Sequence, residues 1–198
     1  TALTITLAIP AAYGLVRLPQ RLLRVSRALI AGAALFPYVL LFLALLELAR
    51  SLNLGNSLLA LAIPYSALSL PLALLLLTAA FEGLPKDLDD AAKLEGMSLM
   101  QRLRWVLIPL ITPATASTSI LVFLFAWNEY PIALTWLSRS DQLTLPVAMA
   151  RIAGSSVYSV PYGAYAAATV LGAIPLLLLV LLFQRQIVSG LTNGAVKG

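Results

Sequence analysis

Long apolar runs separated by short polar stretches make up most of this chain. A membrane-spanning helix takes about 20 mainly apolar residues. Five runs reach or approach that length, at about 1–16, 28–49, 57–81, 105–137 and 162–183. The fourth is too long for one straight span and is expected to bend. Pro64 and Pro71 are expected to kink or break the third. The runs do not alternate, which argues against β-barrel strands, and their Leu and Ala content favours helix. The pattern predicts an all-α membrane protein, one transmembrane domain over 1–198 with no linker and no internal repeat.

A polar island interrupts the pattern at 84–103 and reads as two short helices joined by a turn. Pro85 suits a first helical turn. Asp87, Asp89 and Asp90 crowd the helix start, where the dipole favours negative charge. Leu88, Ala91, Ala92 and Leu94 give a small apolar face. Gly96 can take a positive φ and end the helix. Leu99, Leu103 and Val106 then resume an apolar stripe at helical spacing, and Ile108-Pro109 enters the next apolar run.

Composition narrows the function classes. The chain is 61% hydrophobic and 11% charged, against roughly 25% charged in soluble domains. It has no histidine and no cysteine. That removes Ser-His triads, cysteine nucleophiles, zinc-thiolate sites and disulfides together. The net charge of +5 does not point to nucleic acid, because no basic-aromatic stripe accompanies it. The basic residues instead report orientation. Arg17, Arg21, Arg24, Arg27, Lys86, Lys93, Arg102, Arg104, Arg185 and Lys197 fall on one side of the alternating runs. Arg50, Arg139 and Arg151 fall on the other. The richer side, with the island and the C-terminus, is expected to be cytoplasmic. Thr1 lies inside an apolar run without a basic leader, so the first run is read as a truncated span rather than a signal peptide.

The island carries a resemblance. Phe81 to Gly96, with Asp90-Ala91-Ala92, three residues, Gly96, nine residues and Val106-Leu107-Ile108-Pro109, resembles the "EAA" loop of ABC-importer permeases. Asp90 stands for the family's Glu, Val106 for an Ile and Ile108 for a Leu. The tail Gln184 to Gly198 and the segment Phe125-Ala126-Trp127-Asn128-Glu129-Tyr130-Pro131 are similar to the G-type subunit of carbohydrate permeases.

The resemblance implies a type I importer transmembrane domain, about five spans visible and the first family span missing, in a bacterial or archaeal inner membrane. It implies a second permease subunit of F type, two cytoplasmic ATPase subunits and an external solute-binding protein. The loop at about 82–104 would be a coupling helix seated on the ATPase. Leu88, Ala91, Ala92 and Leu99 would give buried contact, Asp90 and Lys93 polar contact, with Gly96 and Pro109 fixing the frame. No Gly-x4-Gly-Lys-Ser/Thr pattern occurs, so ATP and Mg belong to the partner ATPase and this chain carries no cofactor, no metal and no catalytic group.

A rise of about 1.5 Å per residue puts Thr115 near the bilayer midplane. Thr112, Thr115, Ser117, Thr118 and Ser119, with Ser66 and Ser69 in the third run, either face a path and hydrogen-bond a sugar or sit in close helix packing. Asn128 and Glu129 are expected at the outer interface, within reach of solute or the binding protein. Trp127, Tyr130, Trp136, Tyr158 and Tyr162 read as an interfacial aromatic belt. The leading function is therefore a sugar-import permease subunit, with a polyol or glycerol phosphoester as the alternative solute. A secondary transporter would want mid-membrane carboxylates or an inverted repeat. An intramembrane enzyme would want convergent catalytic groups. None of these is visible.

Overall fold

The computed structural model describes residues 1–153 and 161–195, and among them every regular element is helical. In chain order these are α1 (Ala2–Val16), α2 (Gln20–Ala34), a 3-10 turn (Tyr38–Leu41), α3 (Phe42–Ser51), α4 (Leu58–Glu82), α5 (Lys86–Leu94) and α6 (Leu99–Gln101). A π turn (Arg102–Leu107), α7 (Ile108–Leu110), α8 (Thr112–Asn128), α9 (Pro131–Trp136), α10 (Leu145–Ala153) and α11 (Tyr162–Ala195) follow.

By length and composition, α4 and the stretch Tyr162–Gln184 of α11 are each able to cross a membrane alone. The prolines of α4 do not break it: Pro64 and Pro71 lie inside a continuous 25-residue helix. Two expected runs are interrupted elsewhere. The run at 28–49 stops at Ala34 and resumes as a 3-10 turn at Tyr38. Pro37 supplies no donor and drives Phe36 out of the helical region. The run at 105–137 bends by 81° between Leu110 and Thr112. Pro109 and Pro113 stand four apart, and the Pro113 ring displaces the Pro109 carbonyl that a straight helix would place against it. The same run ends at Asn128, and α9 begins anew at Pro131.

The residues group into two compact units, neither a continuous stretch of chain. Unit 1 takes in Thr1–Leu35, Ser69–Val122 and Phe183–Gly198. Its core joins Ala8, Ala12 and Tyr13 of α1 to Ala73, Leu77 and Phe81 of α4 and to Leu103, Leu107 and Ile111 beyond the island. Alanines on α1 let it lie close to α4, the packing that small residues permit between membrane helices. The Thr4 and Ser69 hydroxyls, 3.1 Å apart, add a buried hydrogen bond across that seam.

Unit 2 comprises Phe36–Leu68 and Phe123–Leu182. Its core is Ala49, Ala60, Leu61 and Tyr65 packed on Ile132, Ala133, Trp136, Leu137 and Val147. Trp136 is buried, and its indole N–H donates to the Leu54 carbonyl at 2.9 Å. It belongs to this core and not to an interfacial belt. Tyr158 lies outside the described residues.

Candidate functional site

The polar island folds as an elbow. Pro85 caps α5 with extended backbone, and Asp87 and Asp89 stand in its first turn. The helix ends in a paired capping arrangement. The Gly96 N–H donates to the Lys93 carbonyl at 2.9 Å and the Met97 N–H to the Ala92 carbonyl at 3.1 Å. This is a Schellman motif, and it requires the positive φ of +79° found at Gly96. The chain then re-enters helix at once. The Ser98 hydroxyl accepts from the Gln101 N–H while the Gln101 side chain accepts from the Ser98 N–H, a capping box.

The two faces of α5 differ in chemistry. Asp89 and Ala92, three apart, point into the unit and are buried. Leu88, Ala91 and Leu94, again at threefold spacing, point outward, and Leu94 is 91% exposed. Leu99, Met100 and Trp105 continue the apolar surface past the turn, with Met100 71% exposed. A clustered apolar patch on an otherwise polar turn is a candidate surface for contact with another protein or a membrane. On the same outer side, Lys93 donates to Asp90 at 2.9 Å. That hydrogen bond, and then the ammonium charge, hold the Asp90 carboxyl below its ordinary value.

Asp89 is the centre of the inner face, and only 2% of it is exposed. Its Oδ2 accepts the Tyr13 hydroxyl at 3.0 Å and pairs with the Arg17 guanidinium. Its Oδ1 accepts Arg102 at 2.8 Å, and Lys93 stands 3.6 Å from Oδ2. The Arg102 guanidinium also donates to the Tyr13 oxygen at 3.3 Å, and the Arg17 guanidinium lies 5.0 Å from the Tyr13 ring centre. A buried carboxylate is tolerated when it is paired and hydrogen-bonded on this scale. A second ion pair, Arg27 with Glu82, ties α2 to the end of α4.

Unit 2 holds the other concentration of polar groups. Glu129 is 2% exposed. Its Oε1 accepts the Ile132 N–H at 2.8 Å, and its Oε2 accepts the Ala133 N–H at 3.1 Å and the Tyr65 hydroxyl at 2.6 Å. Glu129 thus caps the first turn of α9, whose free N–H groups favour a negative partner. Beside it opens a cleft of about 500 Å³ lined by Trp127, Asn128, Tyr130, Met149, Tyr165 and Thr169, among others. That size lies within the range of small-molecule sites, roughly 300–1,000 Å³. At the cleft's side α10 and α11 touch closely: a Cβ on Gly172 would strike the Leu145 side chain.

Comparison with known proteins settles the class. A family described as "binding-protein-dependent transport system inner membrane component" matches residues 4–193. The chain belongs to that family. It is 40% identical over 198 residues to the sulfoquinovosyl glycerol transport system permease protein of Agrobacterium fabrum, covering 100% of this chain and 69% of the relative. It is 40% identical over 200 residues to the trehalose transport system permease protein of Mycobacterium tuberculosis, covering 100% and 72%. A trehalose/maltose transport system permease protein of Thermococcus litoralis is 38% identical over 198 residues, covering 100% and 71%. The chain is thus a transport permease subunit and an inner-membrane component.

Set in this permease, the candidate residues sort clearly. Asp90, Ala91, Lys93, Leu88 and Leu99 lie on the exposed side of the elbow, and Gly96 makes its turn. Ala92 does not join them, because it faces the unit's own interior beside Asp89. Pro109 sits in the short helix before the bend. Ser66 and Ser69 are buried against this chain, and Ser69 is spent on Thr4, so the packing alternative holds for them. Thr112, Ser117, Thr118 and Ser119 each donate to the carbonyl four residues back, at 2.7–3.0 Å. Thr115 differs: its hydroxyl is shielded and has no hydrogen-bond partner among the described residues. Asn128 reaches the cleft, with its amide donating to the Leu124 carbonyl at 2.8 Å. Glu129 is not the solute-facing interfacial carboxylate expected, since its oxygens are taken by α9 and Tyr65.

Sequence reasoning missed Asp89 as a buried, multiply paired carboxylate and treated it as one of three acids at a helix start. Arg17 and Arg27, in a stretch with no acidic residue, do pair with acids distant in sequence, Asp89 and Glu82.

Proposed function

We propose that this permease forms half of the translocation path of an ATP-driven sugar importer. In this reading the exposed face of the elbow seats in a cytoplasmic ATPase subunit. A second, F-type permease completes the path, a solute-binding protein delivers the sugar from outside, and Mg-ATP is held and hydrolysed on the ATPase. The C-terminus and the elbow face the cytoplasm. The carrying observation is the elbow itself: an apolar outer face on a short helix whose inner face is anchored and whose end is fixed by Gly96. Relatives whose names specify trehalose, trehalose/maltose and sulfoquinovosyl glycerol transport support a glycoside as the solute.

For the path we assign Asn128 and the aromatic wall of the cleft, where an amide beside Trp127, Tyr130 and Tyr165 offers hydrogen bonding and stacking to a sugar ring. Thr115, with its unpartnered hydroxyl, is the path residue we keep from α8. The test is uptake into vesicles holding the transporter purified through a tag on this chain, with its binding protein outside and ATP inside. Trehalose, maltose and sulfoquinovosyl glycerol are the probes. ATP-dependent uptake of one of them, lost without the binding protein, is expected. Uptake driven by an ion gradient without ATP would overturn the reading.

A further inference from the structure

We propose that Asp89 is a positioning residue that makes α1 travel with α5, so that a push on the elbow is delivered to the α1–α4 seam. This rests on the reading of α5 as the ATPase contact. The backbone alone cannot transmit such a push. α5 is joined to the chain through Gly83 on one side and the left-handed Gly96 on the other, where a Cβ would meet no atom within 4 Å. Both turns bond only to backbone a few residues away, so neither ties α5 to α1. Something must fasten the helix from inside, and among its described side chains only Asp89 and Ala92 are buried. A single methyl face gives little resistance to sliding or rotation.

Asp89 supplies the missing fastening. Tyr13 lies in the last turns of α1, and Arg17 caps that helix. Arg102 opens the π turn on the far side of Gly96, and Lys93 lies one turn along α5. One carboxylate thus gathers partners from α1, from α5 and from the segment that runs into the bend. Separating it from them leaves charge without a partner in a region of low dielectric, where ion pairs are far stronger than in water. The joint therefore resists partial opening. From Arg17 the connection continues up α1 through Ala12, Ala8 and Thr4, which pack on Ala73, Leu77 and Ser69 of α4.

The chain has no cysteine, so two introduced cysteines are its only thiol label sites. Leu7→Cys on the exposed side of α1 and Glu95→Cys at the end of α5 report the distance between the two helices by pulsed electron paramagnetic resonance. The sample is the whole transporter, purified from membranes through a tag on this chain and placed in lipid nanodiscs. It is measured without nucleotide and again after trapping with Mg-ATP and vanadate. With Asp89 intact, one narrow distance that is the same in both states is expected. Asp89→Asn should lose that single narrow distance and make it depend on nucleotide, and Asp89→Glu, which keeps the charge, should restore it. If Asp89→Asn does not assemble, Arg17→Gln removes the charged α1 partner, leaves the Tyr13 hydroxyl in place, and should loosen the joint in the same direction. A narrow, nucleotide-independent distance in Asp89→Asn, or in Arg17→Gln where that variant stands in, overturns the proposal. Failure of the underlying reading looks different: the unaltered chain then purifies without any ATPase subunit, which removes both.

Discussion

Asp90 stands in solvent with Lys93 as its partner, while Asp89, one residue earlier, is buried among three cations. Their responses to change should differ accordingly. The Asp90 carboxyl is held below its ordinary value of 3.8 in the folded chain. A depressed folded value means that the interaction stabilises above the ordinary value and is lost as pH falls through the lower one. Because Asp90 is fully exposed, the effect on stability is small. Asp90→Asn is expected to lower the unfolding temperature slightly at pH 7, with the difference from wild type closing on the acid side of 3.8. Glu129→Gln should cost more. Glutamine keeps one oxygen and puts an N–H₂ in place of the other, so at least one backbone N–H of α9 loses its acceptor. An unsatisfied buried donor costs about 1–3 kcal/mol. Thermal unfolding of the detergent-solubilised chain, followed by tryptophan fluorescence, reads both. No change for Glu129→Gln would mean that the carboxylate does not hold the first turn of α9.

At the scale of elements, what was legible in sequence was what is locally determined. The Gly96 turn, the short α5 and the resumed stripe at Leu99 and Leu103 follow from residues within a few positions of one another. The bend in the run at 105–137 was expected from its length, and Pro109 and Pro113 set its place, whereas Pro64 and Pro71 do not break α4. What was not legible depends on residues far apart. Asp89 meets Tyr13 across 76 positions and Tyr65 meets Glu129 across 64, and no periodicity encodes such pairs. Depth counting for Glu129 assumed one straight helix from Trp105, whereas that run bends by 81° between Leu110 and Thr112 and α8 stops at Asn128. The Schellman turn gives an element-scale prediction. With open space around its Cβ position, Gly96→Ala is penalised by backbone conformation alone, about 1–2 kcal/mol for a left-handed non-glycine residue. Gly96→Pro also deletes the donor to the Lys93 carbonyl and cannot reach a φ of +79°. Urea unfolding should therefore rank wild type above Gly96→Ala, and Gly96→Ala above Gly96→Pro. Equal midpoints for the two variants would show that the turn reorganises around a right-handed residue.

For the molecule as a whole, orientation is predicted by charge rather than by any contact. Of the 13 basic residues, those named above on the elbow side outnumber Arg50, Arg139 and Arg151 on the other. Lys and Arg near span ends are retained on the cytoplasmic side, and most of the larger set flank helix ends: Arg17 to Arg27 between and along α1 and α2, and Lys93 to Arg104 around the elbow. The absence of cysteine turns this into a direct measurement. A single cysteine at Leu94, on the outer face of α5, should be shielded from a membrane-impermeant maleimide in intact spheroplasts and react in inverted vesicles. A cysteine at Asp141, exposed in the loop after α9, should do the reverse. Assembly with an ATPase should further protect Leu94→Cys in inverted vesicles, and stripping the peripheral subunits with urea should restore its labelling. Reaction of both sites from the same face would invert the topology. It would also remove the elbow from the compartment where ATP is found, leaving the apolar patch without the partner assigned to it.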